Sequence, residues 1–363
     1  MLKVVKQALK SPFYRKLFKA HKINPRSIKT FEDLEKLPFT TKEAFRDWRQ
    51  LLAVPYSKVA EIHTSSGTTG FRSYVAYTQR DLEEWGKQVA RCLRYANVTK
   101  KDRIIIFPSL GLFNGGFGFY YGAKALGASI IPVGFAPFEF QERIIEEFKP
   151  TVIVSVASYL ARYAKEHSAD SVRVALIGAE PFSEATRKHI ERKLGVDVYD
   201  IYGLAEVGGV GIGCECKRKG HLHIWKDYYY VEIVEGELVL TTLKREAMPL
   251  LRFRTGDLTR WKRCKKGHYV IDRVKGRSDD VIFVKGMKLY MRDIDELMAK
   301  IGIQNYLIQV KKDHWNEIFI TIGEGEPNKV IDAWQKEFLI KPKVIKKRIN
   351  KKGKLKKIFE LRR

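Results

Sequence analysis

Between residues 101 and 203, short apolar runs alternate with helix-length amphipathic segments. The apolar runs occupy residues 104–107, 129–131, 152–154, 172–177 and 196–202. Buried strands separated by helices are typical of a parallel sheet with right-handed crossover connections. This pattern predicts an α/β layer. Helices are expected at residues 138–148 and 183–194, with Ser183 as the N-cap of the second and Gly195 at its end.

The pattern changes after residue 208. Residues 228–234, 237–243, 251–254 and 269–271 read as strands joined by glycine-containing turns, which predicts a β subdomain at about residues 208–275. Beyond residue 279 the chain reads as a helix at 292–301, strands at 306–310 and 318–322, and a helix at 328–338. We therefore predict an α/β protein with a large N-terminal domain (1–278), whose mainly parallel sheet is flanked by helices. A small mobile α+β lid domain (279–363) follows.

Composition narrows the class of protein. The 363 residues are 45% hydrophobic, which argues against disorder, and four cysteines are too few for a disulfide scaffold. The longest apolar run, at residues 151–160, is shorter than the roughly 20 residues of a membrane span. The first residues have no apolar stretch of signal-peptide length. A soluble cytoplasmic protein without a membrane partner is expected.

The charge is strongly positive. With 68 Lys and Arg against 42 Asp and Glu, the net charge is +26. Such a chain could bind nucleic acid, a membrane, or a polyanion such as ATP or coenzyme A. Abundant lysine, together with short turns, also fits a heat-adapted protein that needs no such partner.

A loop rich in hydroxyl groups and glycine follows residue 63. It reads Thr64-Ser65-Ser66-Gly67-Thr68-Thr69-Gly70 and is followed by a predicted strand. Backbone N–H groups and hydroxyls in such a loop suit polyphosphate oxygens. It lacks the Walker P-loop pattern, because Phe71 stands where that loop has lysine. A simple turn is the alternative interpretation.

Candidate ligand-binding groups follow the predicted strands further along the chain. Asp200, Tyr202, Gly203 and Glu206 lie at the carboxyl end of the last strand of the α/β layer, where open α/β sheets bind ligands. A tyrosine ring there could stack on a purine, and a carboxylate could hold magnesium. Asp257 is placed to bind ribose hydroxyls.

These segments, with Gly276-Arg277-Ser278-Asp279-Asp280 and Gly353-Lys354, resemble in order and spacing the adenylate-forming superfamily. That superfamily contains acyl-CoA ligases, peptide-synthetase adenylation domains and luciferases. The chain is most similar to the phenylacetate–CoA ligase branch. Branch-like strings include Leu37-Pro38-Phe39-Thr40-Thr41-Lys42, Gly178-Ala179-Glu180-Pro181 and Leu222-His223-Ile224-Trp225.

The resemblance implies a role for each matching position. The loop from Ser65 to Gly70 would hold the β- and γ-phosphates of ATP, and Glu206 would bind magnesium. The adenine and ribose contacts would come from Gly178, Ala179, Glu180, Pro181, Asp200, Tyr202, Gly203, Asp257 and Arg277. Lys354 would reach the carboxylate and α-phosphate, and Asp279 would be the hinge of the lid. Lys354 could instead be a solvated residue of the basic tail.

Two further features are less decisive. Phe113, Gly116, Phe117 and Tyr121 could line an aryl pocket, although part of these rings could simply be core. Cys214, Cys216, His223 and Cys264, with His221 and His268 nearby, could hold a structural zinc ion. Unconnected reduced thiols are the alternative.

The sequence therefore predicts an ATP- and magnesium-dependent, AMP-forming ligase that converts an aromatic or arylacetic acid into its CoA thioester. One alternative is an enzyme that adenylylates a deazaflavin cofactor or another carboxylate without CoA transfer. A distant one is a basic nucleic-acid-binding protein, for which no recognition motif is found. The sequence leaves the oligomeric state open; a homodimer is one candidate, because dimers are the commonest assembly. The acid itself cannot be read from the sequence.

Overall fold

The computed structural model describes residues 1–65, 73–112, 114–264, 267–274, 276–277, 281–284, 287–311, 317–338, 340–347, 349 and 358–361. Residues 1–180 and 190–273 form one compact unit, and residues 181–189 and 274–363 form a second. The predicted domain boundary at Asp279 lies outside the described residues and stays a prediction.

Two α-helices precede the first strand, and the later helices of this part of the chain alternate with strands. The helices are α1 (Lys3–Ala8), α2 (Pro12–Ala20), α3 (Gln79–Tyr95), α4 (Asn114–Leu126), α5 (Phe138–Phe148), α6 (Ala157–Glu166) and α7 (Glu184–Leu194), the last beginning in the second unit. Short 3₁₀ segments occur at Pro25–Ser27, Glu32–Lys36, Lys42–Leu51, Tyr56–Lys58 and Ala205–Val207. Within the described residues, no helix combines the length and the apolar character that a bilayer crossing requires.

The strands of this unit are β1 (Glu61–Thr64), β2 (Tyr74–Tyr77), β3 (Arg103–Ile106), β4 (Ser129–Ile131), β5 (Val152–Val156), β6 (Val174–Gly178), β7 (Asp197–Leu204), β8 (Gly209–Cys214), β9 (His221–Ile224), β10 (Tyr229–Val234), β11 (Glu237–Thr242), β12 (Phe253–Leu258) and β13 (Tyr269–Asp272). Among the described residues, eight of them form the central sheet in the order β13-β9-β8-β7-β6-β5-β3-β4. The five strands from β7 to β4 in this order run parallel. The predicted α/β fold with a mainly parallel sheet is confirmed.

The strands expected in a β subdomain are divided between two sheets. β8, β9 and β13 pair antiparallel and extend the parallel sheet beyond β7. β10, β11 and β12 form separate antiparallel pairs. β12 begins at Phe253 rather than at the predicted residue 251, because Arg252 adopts a left-handed backbone (φ 46°) while its guanidinium binds the buried Glu232 carboxylate at 2.7 Å.

The helix ends follow the sequence signals. Ser183 Oγ accepts the backbone N–H of Thr186 at 3.0 Å, as expected of an N-cap, and α7 ends at Leu194, directly before Gly195. At the start of α3, Thr78 and Asp81 form a reciprocal capping box. Buried side chains of α3, among them Leu82, Val89 and Leu93, give this helix an apolar face.

The second unit contains the remaining elements. They are β14 (Gly276–Arg277), β15 (Val281–Val284), β16 (Met287–Tyr290), α8 (Met291–Lys300), β17 (Tyr306–Lys311), β18 (Glu317–Ile322), α9 (Pro327–Phe338), β19 (Lys343–Lys346) and β20 (Ile358–Leu361). β15 and β16 form a hairpin, and the other strands from β17 onward pair in the order β19-β18-β17-β20. Met298, Ile308, Ile320 and Trp334 lie in the core of this unit, which therefore buries its own apolar cluster.

Candidate active site

The carboxyl ends of β6 and β7 lie side by side, because Gly178 pairs with Ile201 in the parallel register. A Cβ atom at residue 178 would lie only 2.3 Å from the carbonyl oxygen of Ile201, so the strands can approach this closely only with glycine there. Ala179 then adopts a left-handed conformation with φ 68°. Left-handed backbone costs an alanine about 1–2 kcal/mol, and such strain concentrates at functional sites.

Glu180, the next residue of this segment, caps a helix. Its Oε1 accepts the backbone N–H of Ser158 at 2.5 Å, near the N-terminus of α6. A carboxylate at a helix N-terminus is favourable because it meets unsatisfied N–H groups and the positive end of the helix dipole. The side chain therefore also fixes the segment that leaves β6.

Tyr202 and Asp257 were predicted from separate motifs, and the structure brings them together. The Tyr202 hydroxyl donates a hydrogen bond of 2.5 Å to Asp257 Oδ2. Both side chains are largely buried, with 8% of Tyr202 and 5% of Asp257 exposed. The contact links β7 to β12 and fixes the tyrosine ring beside a carboxylate.

Asp200 takes part in a buried ion pair. Its Oδ2 accepts a hydrogen bond from Arg273 Nε at 2.7 Å, and Glu215 lies 3.8 Å from the same guanidinium nitrogen. The Glu215 carboxylate also accepts the backbone N–H of Asp200 at 2.8 Å. Asp200 thus fixes the first half of β7 against the turn that follows β8.

Glu206 lies on the 3₁₀ turn directly after β7 and is only 4% exposed. The Lys42 ammonium lies 3.7 Å from its Oε1. A buried carboxylate beside a lysine fits both parts of a magnesium–phosphate site, an oxygen ligand for the ion and a cation for the phosphate.

A network around Thr40 positions Lys42. Thr40 bridges Phe253 of β12, and its backbone exchanges hydrogen bonds with Arg252 and Arg254 at 3.0 and 2.9 Å. Its hydroxyl lies 2.9 Å from the Tyr14 hydroxyl. Burial raises the pKa of Tyr14 to about 12, so this phenol stays neutral at physiological pH. The network holds the N-terminal segment against β12.

The serine–threonine loop joins β1 to β2. The described residues at its ends are paired, since the Ser65 and Ser73 backbones bond at 3.0 Å and Ser65 Oγ accepts the N–H of Ser73 at 3.1 Å. Ser65 is therefore placed at the mouth of a hairpin. The predicted site residues that lie outside the described part are Ser66, Gly67, Thr68, Thr69, Gly70, Phe113, Asp279 and Lys354. Arg277 lies in β14.

Three of the predicted aryl pocket residues, Gly116, Phe117 and Tyr121, lie on α4. Gly116 lets the helix approach the segment after β3, because a Cβ there would meet the Ser109 carbonyl oxygen at 2.5 Å. The rings of Phe117 and Tyr121 are stacked 6.1 Å apart, and His63 of β1 meets Phe117 edge-on at 5.1 Å. Phe117 and Tyr121 are both partly exposed, so this aromatic cluster retains accessible ring surface.

Glu61 completes the polar side of this cluster. It accepts the Tyr121 hydroxyl and contacts His63 Nε2 at 2.8 Å. Burial and the adjacent Glu61 carboxylate raise the pKa of Tyr121, which therefore remains a neutral hydrogen-bond donor.

The predicted zinc ligand set needs one correction. Cys216, His221, His223 and Cys264 bring ligand atoms within 4.8 Å of one another, and Cys214 is not among them. Cys214 pairs with His223 in the strand register, but its thiol lies toward helix α3, 3.9 Å from the Cys92 carbonyl oxygen. The cluster that the structure brings together therefore contains His221 in the position for which Cys214 was predicted.

Sequence reasoning gave no role to three residues near these sites. Lys42 was noted only as part of a family-like string, although its charge was a signal. Glu61 carried no motif and was missed. His221 shares a strand face with His223 at a spacing of two residues, which is the signal that favours it over Cys214.

Comparisons with known proteins show to which family the chain is similar. Residues 14–229 match the family model described as AMP-binding enzyme. The chain is 38% identical to phenylacetate-coenzyme A ligase of Aromatoleum evansii, over 91% of this chain and 81% of that protein. It is 40% identical to phenylacetate-coenzyme A ligase of Escherichia coli strain K12, over 80% and 72% of the two chains.

A solved structure shows the same fold. The crystal structure of 2-hydroxyisobutyryl-CoA ligase in the postadenylation state, in complex with R3-HIB-AMP, superposes with a TM-score of 0.90 over 99% of this chain and 88% of that one, at 20% identity. The family model covers well over half of the chain, and the two phenylacetate-coenzyme A ligases each match at least 80% of it. The chain belongs to the AMP-binding enzyme family, in its phenylacetate–coenzyme A ligase branch.

Proposed function

We propose that this protein is an AMP-forming acid–CoA ligase whose substrate is an aromatic or arylacetic acid. The observation that carries the proposal is the convergence of Tyr202, Asp257 and the Gly178–Ala179 turn at the carboxyl ends of β6, β7 and β12. This is where an open α/β sheet binds a nucleotide. The named relatives, both phenylacetate-coenzyme A ligases, support the same reaction.

The first half-reaction forms an acyl-adenylate. A carboxylate oxygen of the acid attacks the α-phosphorus of ATP, and the bond to the bridging oxygen breaks, which releases pyrophosphate. Two anions approach each other in this step, so the site must supply fixed cations and hydrogen-bond donors. Lys42 is such a cation, while Tyr202 would stack on adenine and Asp257 would accept hydrogen bonds from the ribose.

Magnesium belongs to this proposal. The buried Glu206 carboxylate offers the hard oxygen ligand that the ion prefers. When bound, Mg²⁺ would neutralise part of the phosphate charge. Lys42 beside Glu206 would orient the carboxylate before ATP arrives.

The second half-reaction transfers the acyl group. The sulfur of coenzyme A attacks the acyl carbon, the thiol proton passes to water, and the bond between the acyl carbon and the AMP oxygen breaks, which releases AMP. A moving lid would allow one cavity to serve both steps, with Asp279 as its hinge and Lys354 acting in adenylation. Both residues are proposed on the family resemblance alone.

The aromatic cluster supports the substrate class. The partly exposed rings of Phe117 and Tyr121, with the edge of His63, offer the flat apolar contact that an aryl group requires. The neighbouring Glu61 would disfavour acids that carry a negative charge at the far end of the molecule.

Acid-dependent exchange of pyrophosphate into ATP tests adenylation, and CoA-dependent release of AMP tests the acceptor. We expect phenylacetate and related aryl acids to support both, with short aliphatic acids far weaker. Exchange without any effect of CoA would favour the adenylylating alternative. No exchange with any member of a broad acid panel would contradict the proposal.

The other expectations concern the protein's setting. A cytoplasmic location, a homodimer and heat adaptation stay predictions. The zinc expected from the sequence would be structural and would take no part in this reaction.

A further inference from the structure

Four metal-binding side chains meet at the antiparallel end of the central sheet. Cys216 follows β8, His221 and His223 lie on β9, and Cys264 precedes β13. One ligand atom from each lies within 4.8 Å of the other three. The cluster belongs entirely to the first unit and uses none of the residues assigned to the nucleotide.

We propose that Cys216, His221, His223 and Cys264 bind one structural Zn²⁺ ion in a closed tetrahedral site. Two cysteines and two histidines are a common structural zinc set. Two thiolates balance the charge of the ion, and the imidazoles bind in their neutral form. Because four protein ligands complete the tetrahedron, no position is left for a substrate.

The distances fit this ion. Zn–S bonds of about 2.3 Å and Zn–N bonds of about 2.0–2.1 Å place sulfur and nitrogen ligands about 3.6 Å apart across a tetrahedral edge. Cys216 Sγ and His221 Nε2 lie 3.6 Å apart. All the ligand atoms lie within 4.8 Å of one another, so any pair wider than the roughly 3.4–3.8 Å edges of such a tetrahedron would have to close by about 1 Å.

The strand register explains why both histidines contribute. Residues two apart on a strand face the same side, so His221 and His223 are presented together. They pair with Asp272 and Val270 of β13, and Cys264, which precedes β13, lies beside them. The Tyr95 ring meets His223 at 5.5 Å and screens this side of the cluster.

Two of the four side chains of the cluster are buried, and the other two are half-buried. Cys216 is 2% exposed and His223 is fully buried. The thiolate form of a cysteine, which is the form that binds zinc, is costly to bury unless a cation compensates its charge. A Zn²⁺ ion would compensate both thiols and both imidazoles at once.

The ion would act as a clamp on a weakly paired part of the sheet. The register between β8 and β9 covers only two residue pairs among the described residues, Gly213 with Ile224 and Cys214 with His223. Zinc would join Cys216, after β8, to β9 and to Cys264, before β13. This strengthens the connection where the ladder is short.

Metal analysis of the full chain, purified without chelator and then supplied with zinc, tests the proposal. We expect about one zinc per chain. His221→Ala and Cys216→Ser should weaken zinc binding about tenfold or more in competition with a chelating dye. Cys214→Ala and His268→Ala are matched controls and should retain the ion. Equal zinc loss in Cys214→Ala and His221→Ala would overturn the ligand set.

A rescue variant covers the case in which His221→Ala does not fold. His221→Cys gives a Cys₃His set, which also binds zinc, and should restore both solubility and the ion. Cobalt in place of zinc should give the intense visible absorption of a tetrahedral thiolate site in the wild type and in the controls. Substoichiometric zinc in the wild type after reconstitution, or weak zinc binding that is equal in every variant, would overturn the proposal. Ligase activity enters none of these readouts, so they are independent of the proposed function.

Discussion

At the scale of single residues, Glu206 combines burial with a nearby ammonium group, that of Lys42. If Glu206 holds magnesium, Glu206→Gln keeps the shape of the side chain but removes the charge that binds the ion. We expect acid-dependent pyrophosphate exchange to fall about 10²-fold or more, with a higher magnesium concentration needed for half-maximal rate. A magnesium titration of the exchange rate measures both effects.

Glu235→Gln is the control for this change, because Glu235 lies exposed in the turn between β10 and β11. It should leave the titration unchanged. An unaltered magnesium dependence in Glu206→Gln would remove this residue from the proposed role.

Some of the residues near Glu206 could be assigned to the site from the sequence, and others could not. Tyr202 and Asp257 could be proposed from local motifs, and their contact agrees with a shared site. Lys42 could not be paired with Glu206, because its place depends on a tertiary network between Thr40 and β12. The same limit explains why the sequence predicts Cys214 as a zinc ligand. Cys214 lies next to the cluster in the strand register, but its thiol packs against α3.

At the scale of elements, the close approach of β6 and β7 depends on Gly178. Gly178→Ala would force its Cβ against the Ile201 carbonyl oxygen and push the strands apart. We expect the free energy of unfolding to fall by about 1–3 kcal/mol, together with loss of nucleotide affinity. Urea unfolding and ATP binding measure these effects.

Ala179, the residue after Gly178, provides a matched control for the Gly178→Ala variant. Ala179→Gly relieves the left-handed backbone strain and adds freedom to the unfolded chain, two effects of similar size. Its stability should change by less than about 1 kcal/mol. A Gly178→Ala protein as stable as Ala179→Gly would show that the strands can separate without cost.

Asp102 joins the amino ends of neighbouring strands. It accepts hydrogen bonds from the Thr99 N–H at 2.7 Å, the Thr151 hydroxyl at 2.7 Å and the Arg173 guanidinium at 2.8 Å. Burial of this carboxyl opposes its ionisation, but the three donors outweigh burial and lower its pKa. The stabilisation is therefore present above the unfolded-state pKa of about 3.9 and is lost as the pH falls through the lower folded-state value.

Asp102→Asn should consequently cost about 1–3 kcal/mol of unfolding free energy at pH 7 and less at pH 3. Denaturant unfolding at the two pH values measures the difference. Asp170→Asn, at an exposed position, should change stability little at either pH. A cost for Asp102→Asn that does not shrink at acid pH would contradict the assignment to the ionised carboxylate.

Helices and strands could be predicted from the sequence where they depend on short local patterns. The parallel strands and the caps of α7 depend on short patterns, and the structure contains them. The start of β12 depends on the buried pair between Arg252 and Glu232, which the apolar pattern does not contain. The extension of the parallel sheet by β8, β9 and β13 depends on pairing between distant segments.

At the scale of the whole molecule, the proposed two-step reaction requires a nucleotide site and a lid that carries Lys354. Lysine is a compact cation able to bridge the carboxylate and the α-phosphate, which matters only while the acyl-adenylate is being made. Lys354→Ala should lower pyrophosphate exchange about 10²–10³-fold. Thioester formation from a preformed acyl-adenylate should change far less, since the phosphate bond is already formed.

The basic tail supplies the control for this variant, because Lys354 is one of twelve basic residues between 341 and 363. If the tail acts only through its summed charge, Lys352→Ala must cost as much as Lys354→Ala, and both losses must vary with salt. If Lys354 acts at the reacting atoms, its loss exceeds that of Lys352 and persists at high ionic strength. Equal losses in both half-reactions would instead indicate that Lys354 contributes to nucleotide binding in general. The proposal that this lysine acts mainly in adenylation would then be wrong.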